Sequence, residues 1–165
     1  MTTKNSGTET APDTLELENF LPYRLNVLAE TVSQSLSRHY SDRYGISIPE
    51  WRVVATLGQF SSMTAKAVGA HSHMHKTKVS RAVAALEEKG MVKRKANPSD
   101  KREAFLRLTP KGQSVYDSFV PSALTFSDAL ASVLSDAERE TFDIILARLI
   151  DQAEVLASET LGQTS

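Results

Sequence analysis

The residues best suited to chemistry lie in one short run, His75 to Gly90, HKTKVSRAVAALEEKG. On a helical wheel Val79, Ala82, Val83 and Leu86 fall on one side, at the spacing of a buried stripe. Thr77, Ser80, Arg81 and Ala84 fall on the other side, with Lys78 and Arg81 projecting from it. That face is narrow, small and polar. Short hydroxyls and one or two long cations permit a close approach to base edges in a DNA groove, where bulky charge would not. The helix by itself fits an ordinary amphipathic surface helix equally well.

The segment that follows shifts the balance. Gly90 stops the helix, and MVKRKANPSDKREAFLRLTPKG then reads as two short alternating runs around a polar loop. Val92 to Ala96 is one expected strand and Ala104 to Leu108 the other, with Ala104, Leu106 and Leu108 facing one side at period two. The turn between them carries Lys101 and Arg102. A helix followed at once by a basic-tipped hairpin is the layout of a winged helix, in which the helix enters a major groove and the hairpin tip reaches phosphates or the minor groove.

Charge is partitioned accordingly. Lys66 to Lys111 holds 12 Lys/Arg against 4 Asp/Glu, a net of +8, which leaves 7 Lys/Arg and 16 Asp/Glu elsewhere, a net of −9. A basic block in an acidic frame suits a protein that grips phosphate with one face only. The alternative is a chance cluster of solvated charges.

With 165 residues and 41% hydrophobic content, the chain can build one packed domain, or one domain with a dimerisation layer. It has no apolar run long enough for a membrane span and no signal-peptide pattern, so a cytoplasmic location is expected. Cysteine is absent, which excludes disulfides, a thiolate zinc site and oxidant sensing through a thiol. His71, His73 and His75 invite a metal hypothesis. In a continuous helix His71 and His75 would share a face and His73 would not, and no nearby carboxylate completes the set, so neither metal nor cofactor is expected. Helix-turn packing and, for His75, a phosphate contact are the readings that remain. No Walker motif, G-x-S-x-G, H-E-x-x-H or dinucleotide fingerprint occurs, so an enzyme is not expected.

Val79 to Gly112 resembles the recognition helix and wing of the MarR family of bacterial transcriptional regulators. The resemblance rests on Leu86 to Gly90 (LEEKG), on the wing pattern Asp100-x-Arg102, and on the closing Leu108-Thr-Pro-Lys-Gly112, in order and at the family's spacing. It extends more loosely over residues 15–158. By that resemblance Lys76, Thr77, Lys78, Ser80 and Arg81 match the family's DNA contacts, Arg81 as the best candidate for a bidentate contact to guanine and the others for phosphates or bases. Arg102 matches the family's minor-groove arginine and Asp100 the carboxylate that holds its guanidinium, and Lys95 and Lys101 would then be phosphate contacts. An arginine suits a narrow groove because the negative potential is enhanced there.

The same resemblance implies a homodimer with interleaved terminal helices. It would bind a pseudo-palindromic operator, with repression as the family's commoner habit. A small ligand, such as an aromatic acid or its CoA thioester, would release it. The family's effector pocket lies between the dimerisation helices and the winged unit. The candidates by position are Tyr23, Arg24, His39, Tyr40, Trp51 and Arg52, since a cation beside aromatic rings suits an aromatic carboxylate. Trp51, on an apolar helix face, reads more readily as plain core. The other reading of the chain is an architectural or protein-interaction winged-helix module that needs no ligand.

The expected fold is mainly α with a small β-hairpin wing, an α+β winged helix-turn-helix carrying N- and C-terminal dimerisation helices. Residues 1–12 are read as a disordered tail. Residues 13–45 form the N-terminal dimerisation helix, which begins near Asp13 with Glu16 completing its cap. Residues 46–112 form the DNA-binding domain, and 113–160 the C-terminal dimerisation helices. Within them, Ser47-Ile-Pro-Glu50 caps a helix that carries Trp51, Val54 and Leu57 inward. Thr64 caps a short helix to about Ala70, Thr109-Pro110 opens another with Pro121 inside it, and Ser135-x-x-Glu138 caps the last, which runs to about Ser158.

Overall fold

Proline and glycine set many of the element boundaries. The computed structural model describes residues 14–98 and 103–162. The tail 1–12, Asp13 and the wing tip with Asp100, Lys101 and Arg102 lie outside the described residues. Helix α1 spans Leu21–Tyr44, with Pro22 in its first turn. It therefore starts later than the expected position near Asp13. Proline lacks an N–H and disfavours the helical conformation in the residue before it, so it belongs at a helix start. Glu16 does not cap a helix. Its carboxylate accepts from the Asn19 side-chain amide at 2.7 Å and closes a turn.

Helix α2, Ile48–Phe60, opens on the expected capping box. The Glu50 carboxylate accepts from the Ser47 amide at 2.6 Å, and the Ser47 hydroxyl accepts from the Glu50 amide at 3.4 Å. Strand β1 is only Met63–Thr64. Helix α3 spans Ala65–Ser72 and is capped by the Thr64 hydroxyl, which accepts from the Ala67 amide at 3.2 Å. It runs two residues past the expected end at Ala70 and stops where His73 turns left-handed, at φ 50°.

Helix α4, Lys76–Glu88, follows at once. Gly90, at φ 68°, occupies a region that side chains rarely adopt, and the Met91 amide closes back on the Leu86 carbonyl at 2.8 Å. Strands β2, Val92–Ala96, and β3, Ala104–Leu108, have the expected bounds and pair antiparallel, Val92 with Leu108 and Ala96 with Ala104. The wing is nonetheless a three-stranded sheet rather than a bare hairpin. β1 pairs with the other edge of β3, Met63 opposite Leu106, giving the order β1-β3-β2.

Helix α5, Pro110–Ala131, starts at Thr109 and continues through Pro121. Helix α6, Asp136–Gly162, starts at the second capping box, where the Glu138 carboxylate accepts from the Ser135 amide at 2.8 Å. That bond, with a second from the Ser135 hydroxyl at 2.8 Å, holds the Glu138 carboxyl below its ordinary value.

One core joins these elements. Val53, Val54 and Leu57 of α2 meet Val68 of α3, Val79, Val83 and Leu86 of α4, Leu106 of β3 and Phe119 of α5. Each is essentially sealed from solvent, and burying an aliphatic side chain of this size is worth roughly 1.5–3 kcal/mol. Tyr40 brings the C-terminal half of α1 into the same core. The N-terminal half of α1 and the whole of α6 do not reach it. Among the described residues no helix is long and apolar enough to cross a membrane.

Candidate nucleic-acid interface

Helix α4 presents two unlike faces, and its sequence explains both. Val79, Ala82, Val83 and Leu86 are buried, which fixes the helix against α2 and α3. Lys76, Thr77, Lys78, Ser80 and Arg81 are all exposed. The exposed face stands between two hollows. One, of about 580 Å³, lies toward α3 and the sheet and is lined by Lys66, Met74, Lys76, Ser80, Arg94 and Glu103, among others. The other, of about 430 Å³, lies toward the start of α2 and is lined in part by Glu50, His75, Thr77, Lys78 and Arg81. A polar ridge with cations on both flanks is a shape that can enter a major groove and meet phosphates on either side.

The N-terminus of the ridge is built by His75. Its Nδ1 accepts weakly from the Thr77 amide at 3.4 Å, making it the cap of α4. The three histidines do not share one helix. His71 is in α3 with its ring edge-on to Phe60 at 4.7 Å, His73 is the left-handed cap, and His75 begins α4. Among the described residues no three of His, Asp and Glu are grouped so as to hold a metal.

On the wing, Lys93, Arg94, Lys95 and Ala96 of β2 are exposed, and only Val92 of that strand is buried. Arg94 is turned back to Glu87 of α4 by an ion pair of 2.9 Å. The wing and helix are thus joined on their exposed side. Arg107 of β3 donates to the Ser62 hydroxyl at 3.2 Å.

The effector candidates separate into two groups. Tyr23 and Arg24 are exposed near the start of α1, roughly 25 Å along the helix from Tyr40 at about 1.5 Å per residue. Tyr40 and Trp51 come together where α1, α2 and α5 cross, with the charge of exposed Arg52 acting on Tyr40, whereas His39 is exposed and turns to α5 instead. Tyr40 stacks on Trp51 at 5.5 Å and meets Phe119 edge-on at 5.3 Å. Trp51 lies against Phe119 at 4.4 Å and Tyr116 at 6.4 Å, and His39 meets Phe126 at 6.2 Å. The rings fill the space between the helices. Tyr40 is 1% exposed, and burial pushes its phenol up to about 12 although the Arg52 charge pulls it down. Trp51 is only partly exposed and packs on the core, in line with its plainer reading.

Sequence reasoning missed the contribution of Lys66 and Arg94 to the larger hollow. The hollow depends on the α3–β3 contact through β1, a strand of two residues with no periodicity to announce it.

Comparison with known proteins agrees with this geometry. Residues 46–104 match the MarR family model. The regulator SPO1453 from Silicibacter pomeroyi is 29% identical, with a TM-score of 0.72 over 86% of this chain and 99% of that one. A MarR/EmrR family regulator from Acinetobacter sp. ADP1 is 26% identical, with a TM-score of 0.78 over 85% and 99%. The transcriptional regulator YwoH of Bacillus subtilis, itself uncharacterised, is 24% identical over 80% of this chain and 95% of its own length. These relatives are transcriptional regulators. Residues 46–104 are thus similar to the MarR family of transcriptional regulators, and the fold over more than four-fifths of the chain matches solved regulators of that family.

Proposed function

We propose that the chain acts as a homodimer on a pseudo-palindromic operator, as a repressor, and that a small aromatic acid or its CoA thioester releases it. The observation that carries this reading is the coexistence of an exposed cationic α4 with uncovered apolar terminal helices. Leu21, Leu25 and Leu28 of α1 and Phe142, Ile145 and Ile150 of α6 are each at least 39% exposed. Apolar surface on that scale, contiguous along helices, calls for a partner, and a second copy of the chain supplies the same helices in matching form. Residues 13–45 and 113–160 then serve as the dimerisation helices and 46–112 as the DNA-binding unit.

In this reading Arg81 contacts a guanine in the major groove. Lys76, Thr77, Lys78 and Ser80 serve bases or phosphates, and Lys95 and Lys101 serve phosphates. Arg102, held by Asp100, enters the minor groove. The two recognition helices would sit about 34 Å apart on successive major grooves. A fold neighbour, NadR, 20% identical with a TM-score of 0.69, was solved in complex with 4-hydroxyphenylacetate, and that supports an aromatic carboxylate as the effector class. His39, Tyr40, Trp51 and Arg52 are the proposed floor of its site. Tyr23 and Arg24, distant within one chain, would join it from the partner.

A mobility-shift titration on the protein's own upstream region, against random duplex at several salt concentrations, tests the DNA claim. Specific binding that weakens steeply with salt is expected, and no shift at any salt would overturn it. Thermal-shift screening of aromatic acids and their CoA thioesters tests the effector, because a ligand of the folded state stabilises it by mass action. A panel with no stabiliser would favour the module that needs no ligand.

A further inference from the structure

The C-terminal end of α4 is tied down at one atom. The Lys89 ammonium donates to both carboxylate oxygens of Glu50, at 2.7 and 2.8 Å, and to the carbonyl of Gly45 at 2.7 Å. Gly45 is the left-handed cap that ends α1, Glu50 lies in the first turn of α2, and Lys89 is the cap of α4. One cation therefore joins a terminal helix, the first helix of the winged unit and the DNA-facing helix. The backbone beside it is fixed as well: the Lys111 ammonium donates to the Lys89 carbonyl at 2.8 Å, and the Thr109 hydroxyl to the Gly90 carbonyl at 2.7 Å.

The surroundings give this knot weight. Glu50 is 5% exposed, and removing one partner of a buried pair leaves an uncompensated charge. Lys89 keeps a third of its side-chain exposure. By contrast the Arg94–Glu87 pair is solvated at both ends, where ion pairs contribute little.

We propose that Lys89 is a positioning residue for operator recognition. By locking the end of α4 to the end of α1, it sets the angle and distance at which the two reading helices of the dimer are held. This inference rests on the dimeric, operator-binding reading above. It assigns Lys89 no contact with DNA.

The test uses the full chain and a panel of duplexes: the best operator, and derivatives with its half-sites one base pair nearer or farther apart. The wild type should discriminate sharply among them. Lys89→Met should narrow that discrimination by roughly three- to thirtyfold, the range that changes in coupling elements produce, and Lys89→Arg should largely restore it. The salt slope of binding should stay at the wild-type value, whereas loss of a phosphate contact would lower it by about 1.

Lys89→Met strands the Glu50 carboxylate, so the Glu50→Gln/Lys89→Met double variant serves as a folded companion that should show the same loss. Val115→Ala, a core truncation that leaves Lys89, Glu50 and Gly45 in place, controls for destabilisation and should keep the wild-type spacing preference. The inference is overturned if the folded Lys89 variants keep that preference, if the salt slope falls, or if Val115→Ala loses as much. A wild-type chain that prefers no duplex would instead sink the operator-binding reading, and this inference with it.

Discussion

The winged unit and the terminal helices solve the same physical problem in opposite ways. In the winged unit α2, α3, α4 and the sheet bury their apolar side chains on one another, and the polar face of α4 is left over for solvent. In α6 none of the described side chains is buried, though Phe142, Ile144, Ile145 and Ile150 are large and apolar. The first region is self-sufficient and the second is unfinished. A helix of 27 residues with that surface gains little from its own propensity and depends on tertiary or quaternary packing.

Matched truncations should sharpen this contrast most. Leu86→Ala empties a site that is 0% exposed and should cost about 2–5 kcal/mol, read by urea unfolding at any protein concentration. Ile145, 46% exposed in the single chain, should respond differently. Ile145→Asp should act through assembly, making the midpoint strongly dependent on protein concentration and yielding monomers in sedimentation. Equal, concentration-independent losses from both variants would erase the distinction between the regions.

Next in size is Arg81→Ala, which should cost roughly 1–3 kcal/mol of discrimination between operator and random duplex with no change in unfolding midpoint. Thr109→Ala is smaller. It removes the hydroxyl that accepts from the Gly112 amide at 3.1 Å and donates to Gly90, at about 1 kcal/mol for a lost cap. It should loosen the joint between wing and α5 without touching assembly.

The smallest effects are in pH. Burial raises the Glu50 carboxyl, but the Lys89 hydrogen bond, the Ser47 amide and the Lys89 charge outweigh it and hold the group below 4.5. A depressed acid stabilises the fold above its ordinary value and loses that contribution as pH falls below it. Stability should therefore fall below about pH 4.5 in the wild type, and Glu50→Gln should flatten that limb. Tyr40 has the opposite sign. Its phenol, raised from 10.0 to about 12, stabilises the fold fully below pH 10.0 and loses that contribution as pH rises toward 12, and Tyr40→Phe should remove the alkaline limb.

How much of this was legible in the sequence follows from the same physics. The α4 stripe of Val79, Ala82, Val83 and Leu86, the bounds of both wing strands and the capping boxes at Ser47 and Ser135 were readable because periodicity and caps are local signals. α1 starts later than a cap at Glu16 would place it, because Pro22 fixes the true boundary. β1 was missed because a two-residue strand has no pattern of its own. The Lys89 knot spans 39 residues to Glu50 and 44 to Gly45, and LEEKG read locally gives no hint of either partner. The aromatic cluster at Tyr40 and Trp51 was named residue by residue, but only the packing of α5 revealed that Phe119 and Tyr116 fill it.

The most direct measurement is sedimentation of the full chain with a labelled duplex selected from a random pool for tight binding. The expected result is two chains per duplex, on a pseudo-palindromic sequence whose half-sites lie about one helical turn apart. A single chain per duplex, or a pool that never enriches, would contradict the claim that this protein reads DNA as a pair.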